Sequence, residues 1–225
     1  MKKKIIVLII CIFLIGIFAL GVFTAPTIIT GYEMYKSAIN DTNLEDAINQ
    51  VRDDENYIEL DKISDDYLEL VLKSEDKRFH YHFGIDFIAI GRAMHNNLKA
   101  HSLVQGGSTI TQQLAKNLYF SFDKKYERKI AEMFVAIDLE KMLTKDEILE
   151  LYCNIAYFGE GCYGIKEAAN YYYGVEPIEL STEQSYALVH TLKSPNNYNP
   201  NVYKPVAVHK FLSYDWAGGI LSTAI

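Results

Sequence analysis

Gln105-Gly106-Gly107-Ser108-Thr109-Ile110-Thr111-Gln112-Gln113, with Lys116 and Asn117 one turn on, is the stretch whose reading decides the architecture. Thr109 with Gln112 matches the S/T-x-x-E/Q capping box, in which side chain and backbone satisfy each other at the start of a helix. Two glycines just before it let the backbone come close to a neighbour or a ligand. A helix opening there directs its first amide N–H groups outward, and Lys116 adds a cation, a combination suited to phosphate or pyrophosphate. The lysine does not follow the glycines as a Walker loop requires. A glycine turn ahead of an ordinary capped helix is the alternative.

The same signature recurs on either side. Thr144 with Glu147 and Ser181 with Gln184 are further capping boxes, each before an apolar-periodic stretch. Ser64 followed by Asp65 and Asp66 reads as an N-cap with a negative first turn. Between Lys124 and Leu143, Ile130, Phe134 and Ile137 recur at helical spacing and predict one buried stripe. Strand signals are few, since Val175 to Ile178 is short and holds Pro177. Loops are expected at Gly106-Gly107, Gly159 to Gly164, Gly174 and Ser194 to Pro200. The pattern predicts a mainly helical domain over 64–200, preceded by a polar, acidic stalk over 24–63 with one or two short helices. The tail, 201–225, is left unassigned.

At 225 residues the chain can bury one sizeable core but not two. Its net charge of −7 argues against a nucleic-acid partner. Lys2, Lys3 and Lys4 precede an apolar run from Ile5 to Phe23, which as a helix reaches roughly 28 Å, about the thickness of a bilayer's hydrocarbon. A cleaved signal peptide ending near Ala19-Leu20-Gly21 is the competing reading, although its apolar core is usually shorter. A retained anchor places the N-terminus in the cytoplasm and everything after Phe23 outside the cell. Cys11 lies in this run, while Cys153 and Cys162 are read either as a pair or as buried thiols.

Several charged clusters could carry chemistry. Glu75 and Asp76 end the apolar segment Tyr67 to Leu72, ahead of Lys77, Arg78, Phe79, His82, Gly84 and Asp86. A carboxylate held against apolar neighbours is prepared for general acid–base work, whereas an exposed helix end paired with Lys77 and Arg78 is the plainer meaning. Arg128-Lys129-Ile130-Ala131-Glu132 puts Glu132 one turn from two cations, which is either a site or a routine surface salt bridge. Glu147 to Asn154 and the following glycines read as architecture. His80, His82, His95 and His101 have no spacing that marks a metal site.

In this order, from about Tyr67 to Pro200, the segments resemble the peptidoglycan glycosyltransferase domain, family 51 of the glycosyltransferases. The likeness rests on Glu-Asp…Phe…His…Gly…Asp at 75–86 and Gly-Gly-Ser-Thr-Ile-Thr-Gln-Gln at 106–113. Arg-Lys-x-x-Glu at 128–132 and Ile-Leu-Glu-x-Tyr-x-Asn at 148–154 continue it, and Ser194-Pro195 with Tyr198-Asn199-Pro200 close it. The resemblance implies a lysozyme-like helical fold on a single N-terminal membrane helix. It also implies polymerisation of lipid-linked disaccharide (lipid II) into β-1,4 glycan strands, with inversion and release of undecaprenyl pyrophosphate. Glu75 would then be the general base, and Glu132 would assist the leaving group directly or through a divalent cation, Mg or Mn, to which no residues are assigned. Lys116, Lys124, Arg128 and Lys129 would bind the pyrophosphate, and Ser108, Thr109, Gln112 and Gln113 sugar or phosphate oxygens. The partners implied are lipid II, the lipid-linked glycan chain, the membrane and other cell-wall synthesis proteins. Phe120 and Phe122 are candidates for an amphipathic patch at the membrane.

Three other readings compete with this one. A lysozyme-like lytic enzyme would need an acid in a saccharide cleft and no pyrophosphate-binding cations, and a non-catalytic scaffold would need neither glutamate. Ser74-x-x-Lys77 and Ser121-x-x-Lys124 spell the acyl-serine motif of penicillin-binding enzymes, but no Lys-Thr-Gly or Ser-Asp-Asn accompanies them. Cys153 stands where the family usually has leucine, and the usual Arg-containing helix after Pro200 is not recognisable.

Overall fold

All three sequence-level capping boxes form, and they start the helices around which the domain is built. The computed structural model describes the backbone of residues 2–102, 104–120 and 126–203, with side chains from Gly21 onward together with Leu14 and Gly16. Helix α5 (Ile110–Tyr119) opens on Thr109, α7 (Lys145–Ile155) on Thr144 and α9 (Thr182–Thr191) on Ser181. In each, the cap hydroxyl accepts an N3 amide and the N3 side chain returns to the cap's own N–H. Around them stand α1 (Lys2–Asp41), α2 (Leu44–Arg52), α3 (Asp65–Glu75), α4 (Phe87–Ala100), α6 (Tyr126–Met142), α8 (Gly164–Tyr173) and the short α10 (Pro195–Tyr198). Among the described residues there is no strand, only the isolated bridges Phe83–Ile85 and Tyr157–Tyr163. Val175 to Ile178 runs into a 3-10 turn, Pro177–Glu179.

The core forms where α5 and α7 pack on each other and α6 lies against α5. Ile110, Leu114, Ala115, Val135, Ala136, Leu139, Ile148, Leu151 and Tyr152 are sealed from solvent there. Each of the isoleucines, leucines and Val135 contributes roughly 1.5–3 kcal/mol of transfer free energy, so this seam outweighs any single polar contact in the domain. The buried stripe of α6 is Ala131, Glu132, Val135, Ala136 and Leu139, not the expected Ile130, Phe134 and Ile137, which are half-buried. The reason is that α6 is covered on two sides. Its small residues face the core, and Ile130 and Phe134 face α1.

Tertiary contacts change two further expectations. Residues 44–63 are not an independent stalk, since Leu44, Ile48 and Ile63 are buried in the main core. Glu150 and Asn154 of α7 hold the connecting strand-like segment: Leu60 N donates to Glu150 Oε2 at 2.7 Å and Ile58 N to Asn154 Oδ1 at 2.8 Å. Ser64 stands at the N-cap of α3 but makes no capping bond; its hydroxyl donates to Leu180 O at 3.3 Å. Cys153 and Cys162 are both buried free thiols. The apolar run Ile5 to Phe23 falls within α1, although most of its side chains lie outside the described residues. Among the described residues no helix is long and apolar enough to cross a membrane. The tail from Lys204, and Ser121 to Lys125 with them Phe122 and Lys124, also lie outside the described residues.

Candidate active site

The site begins where α3 stops. Asp76 leaves the helical region and turns its buried carboxylate inward, where Oδ2 accepts Ile110 N at 3.0 Å and lies 2.9 Å from His82 Nε2. Asp76 therefore takes the first amide of α5, and the Thr109 hydroxyl takes that of Gln112 at 3.0 Å. Two of the amides expected to face an anion at this helix start, those of Ile110 and Gln112, are therefore committed internally. Arg78, expected as a partner for the Glu75–Asp76 pair, instead binds Asp86 Oδ2 through Nε at 3.0 Å. Burial acts to raise the Asp86 carboxyl, but two amide donors at the start of α4 and the Arg78 charge outweigh it and hold the pKa low.

With Asp76 turned inward, Glu75 is left half-buried. Its Oε1 accepts the Ser74 hydroxyl at 3.1 Å and its Oε2 accepts Gln113 Nε2 at 3.1 Å. Gln113 is held in turn, since its Oε1 accepts Tyr152 OH at 3.3 Å. Burial raises the Tyr152 phenol well above its ordinary value and the Glu75 charge adds to this, so Tyr152 stays a neutral donor. Ser74 and Gln113, both neutral, thus orient the two oxygens of Glu75.

One turn further along α5, Lys116 reaches the second cluster. Burial lowers its ammonium pKa; Glu132 opposes this, while Lys129 and Arg128 reinforce it. Glu132 is fully buried, Arg128 Nη1 donates to its Oε1, and Lys129 Nζ donates to its Oε2. The surface salt bridge weighed for this segment is therefore excluded. Three cations surround one carboxylate, leaving the cluster net positive in a partly desolvated setting. Gln113 and Lys116 are three residues apart and so share a face of α5, with Glu75 at one end and Glu132 at the other.

A groove of about 740 Å³ runs between α4, the loop that leads into α5, and α6. Gly107 permits the approach, because a Cβ there would sit 3.0 Å from Ile90 Cα. Its lining mixes polar side chains, among them Ser108, Gln112 and Lys129, with the apolar Ile90, Met94 and Leu98. Gln112 Nε2 is buried with no hydrogen-bond partner, a donor held without compensation on the border of the groove. Thr109 has no such capacity, since its hydroxyl already donates to Gly84 O at 2.6 Å. Of the nominated side chains, Glu75 and Gln113 come together, Lys116, Arg128, Lys129 and Glu132 come together, and Ser108 and Gln112 border the groove.

A sequence model described as Transglycosylase matches residues 42–212. The chain belongs to the transglycosylase family. It is 45% identical over 144 residues to penicillin-binding protein 1A of Aquifex aeolicus, covering 64% of this chain and 20% of that protein. It is 39% identical over 164 residues to penicillin-binding protein 1F of Bacillus subtilis, covering 73% and 23%. A biosynthetic peptidoglycan transglycosylase of Nitrosomonas eutropha is 40% identical over 154 residues, covering 68% and 63%. The chain thus spans about a fifth of the length of the two penicillin-binding proteins.

Within this transglycosylase domain, several contributions were missed in the sequence. Asp76 and Tyr152 were noted in the sequence, but not that they support α5 and Glu75 from behind, because their partners lie 34 and 39 residues away. Lys193 stands in the field of Glu75, whose charge opposes the lowering of its ammonium pKa by desolvation. The exposed apolar surface was also missed. It comprises Phe83, Phe87, Ile88, Met94 and Leu98, whereas Phe120 is packed against the core. A reading of α4 as one amphipathic helix, with only Ala93 buried on it, would have found this surface.

Proposed function

We propose that this chain is a membrane-anchored peptidoglycan glycosyltransferase that polymerises lipid-linked disaccharide into β-1,4 glycan strands. The observation that carries the reading is the division of labour along α5: a half-buried carboxylate at Gln113 and a cation cluster around buried Glu132 at Lys116. Glu75 takes the proton from the acceptor's 4-hydroxyl, and that oxygen attacks the anomeric carbon of the lipid-linked glycan from the face opposite the pyrophosphate. The bond to the pyrophosphate breaks, the anomeric centre inverts, and undecaprenyl pyrophosphate leaves. Lys116, Arg128 and Lys129 stabilise negative charge as it grows on the leaving oxygens. Glu132 fixes Arg128 and Lys129 in place, and Gln112, Ser108 and Gln113 serve the sugar and phosphate oxygens. Lys124 belongs to the same basic stretch by sequence. A lytic enzyme has no use for three cations at this position.

The donor set does not fit a resident metal. Among the described residues no three His, Cys, Asp or Glu side chains are grouped to hold one, and both Glu132 oxygens are engaged by cations. A divalent Mg or Mn would have to arrive with the pyrophosphate, and the three basic side chains supply the charge stabilisation here.

The Lys2–Lys4 cluster and the apolar run to Phe23 support a single-pass anchor with the domain outside the cell. The exposed apolar side chains of α4 provide a surface for lipid. Incubating the purified full chain with lipid-linked disaccharide and separating the products by gel is the direct test. Glycan ladders that vanish when Glu75 is replaced by Gln are expected, and shortening of preformed glycan instead would establish the lytic reading.

A further inference from the structure

Among the described side chains from 21 to 43, only Gly31 is buried. A Cβ at Gly31 would lie 2.6 Å from Ile130 Cβ and 2.7 Å from Glu127 O, so α1 and α6 touch there almost backbone to backbone. The contacts that follow climb both helices together. The rings of Tyr32 and Tyr35 lie 5.2 and 5.4 Å from that of Phe134, and Tyr35 OH donates to Asp138 Oδ2. Residue 31 meets 130, 32 and 35 meet 134, and 35 meets 138, so the two helices run in the same direction. The start of α6, with Arg128, Lys129 and Glu132, is therefore its end nearer the apolar run. Pro26 costs α1 one hydrogen bond but does not end it.

We propose that α1 is a strut that sets the height of the cationic cluster above the bilayer, with the Gly31–Ile130 contact as its fixed point. This rests on the anchor and the activity proposed above. Eight residues separate Phe23 from Gly31, about 12 Å of helix. Headgroups occupy roughly 5–8 Å beyond the hydrocarbon on each side of a bilayer. Arg128, Lys129 and Glu132 lie within two residues of Ile130, so they sit within about 3 Å of the Gly31 level. That is just above the headgroup layer, and nearer to it if the helix tilts. A pyrophosphate carried on a membrane-embedded polyprenyl chain is presented at this level, so neither the lipid nor the protein must move far to meet the other.

The test uses the full chain in phospholipid vesicles. Seven alanines inserted between Thr27 and Ile28 lengthen the strut by about 10 Å and turn the seam by only about 20°. A glycine-serine insertion of the same length makes it slack. Turnover of a long-chain lipid-linked disaccharide in vesicles is expected to fall at least about tenfold with the alanine insertion and to recover most of that loss with the slack one. Both insertions should stay within about twofold of wild type on a water-soluble short-chain analogue. A fluorophore at Tyr126→Cys, in a Cys11→Ser background, reads height directly through quenching by headgroup-labelled lipid, and quenching should weaken with the alanine insertion. Unchanged quenching, or unchanged turnover on vesicles, overturns the strut. If wild type is inert on both substrates while quenching shifts as expected, the glycosyltransferase reading falls and the strut remains.

Discussion

Glu75 and Glu132 are two glutamates on the borders of one helix, and their surroundings are opposite. Glu75 ends α3, is half-buried, and is held by the neutral donors Ser74 and Gln113. Glu132 lies mid-helix, fully buried, with each oxygen taken by a cation. A half-buried carboxylate held by two neutral donors keeps the capacity to accept a proton. A carboxylate locked between Arg128 and Lys129 cannot do so without breaking two ion pairs, and in the proposed reaction it holds those cations where negative charge appears. The difference teaches that the chemistry is assigned by what surrounds each glutamate, not by the residue type.

The largest effect should come from Glu75→Gln. It keeps the size and the Ser74 contact but removes the base, and polymerisation is expected to fall by at least about a thousandfold. The melting temperature should move little. Measured turnover near wild type would erase the contrast from the Glu75 side.

Lys116→Ala comes next. Charge on the leaving oxygen grows only as the bond breaks, so the loss should appear mainly in kcat, by about a hundredfold. Lys99→Ala, on exposed α4, serves as the control and should change rates by less than about twofold. Equal behaviour of the two variants at saturating lipid-linked substrate would remove the pyrophosphate role from the cluster.

Glu132→Gln sharpens the contrast through stability. It leaves Arg128, largely buried, without its counter-charge, while Lys129 can turn outward because its side chain is 38% exposed. A destabilisation of about 2 kcal/mol is expected, below the full penalty for breaking a buried pair. Chemical denaturation of Glu132→Gln beside Glu75→Gln reads the difference, and equal midpoints would contradict it.

The smallest effect is expected of Tyr152→Phe, which frees the Gln113 amide that aims at Glu75 Oε2. One neutral hydrogen bond is worth about 1 kcal/mol, so turnover should drop roughly fivefold. A drop confined to Glu75-dependent chemistry, with Lys116→Ala equally severe in both backgrounds, would place Tyr152 on the Glu75 side alone.

Much of this was legible because it is local. Thr109, Thr144 and Ser181 start helices through bonds that close within three residues, and a pattern of four residues contains all of that physics. Ser64 carries the same kind of signal, yet its hydroxyl goes to Leu180 O, 116 residues away. Ile130 and Phe134 repeat at helical spacing as a core stripe should, but α1 covers them while Ala131 and Glu132 face inward. Periodicity shows that a face is apolar and does not say which neighbour will cover it.

By itself the sequence determined that the chain is helical, where its capped helices begin, which glutamates and cations are candidates for a site, and that an apolar run precedes them. These follow from side-chain chemistry and short spacings. Only the tertiary structure decided that Asp76 would occupy the start of α5, that Glu132 would be buried with two cations, and that α5 would join it to Glu75. It also decided that α1 would dock on α6 at Gly31. Asp76 with Ile110, Gln113 with Glu75 and Tyr35 with Asp138 are 34, 38 and 103 residues apart, and although the ion pairs of Glu132 are local, only the packing of the other helices buries them in a low-dielectric space.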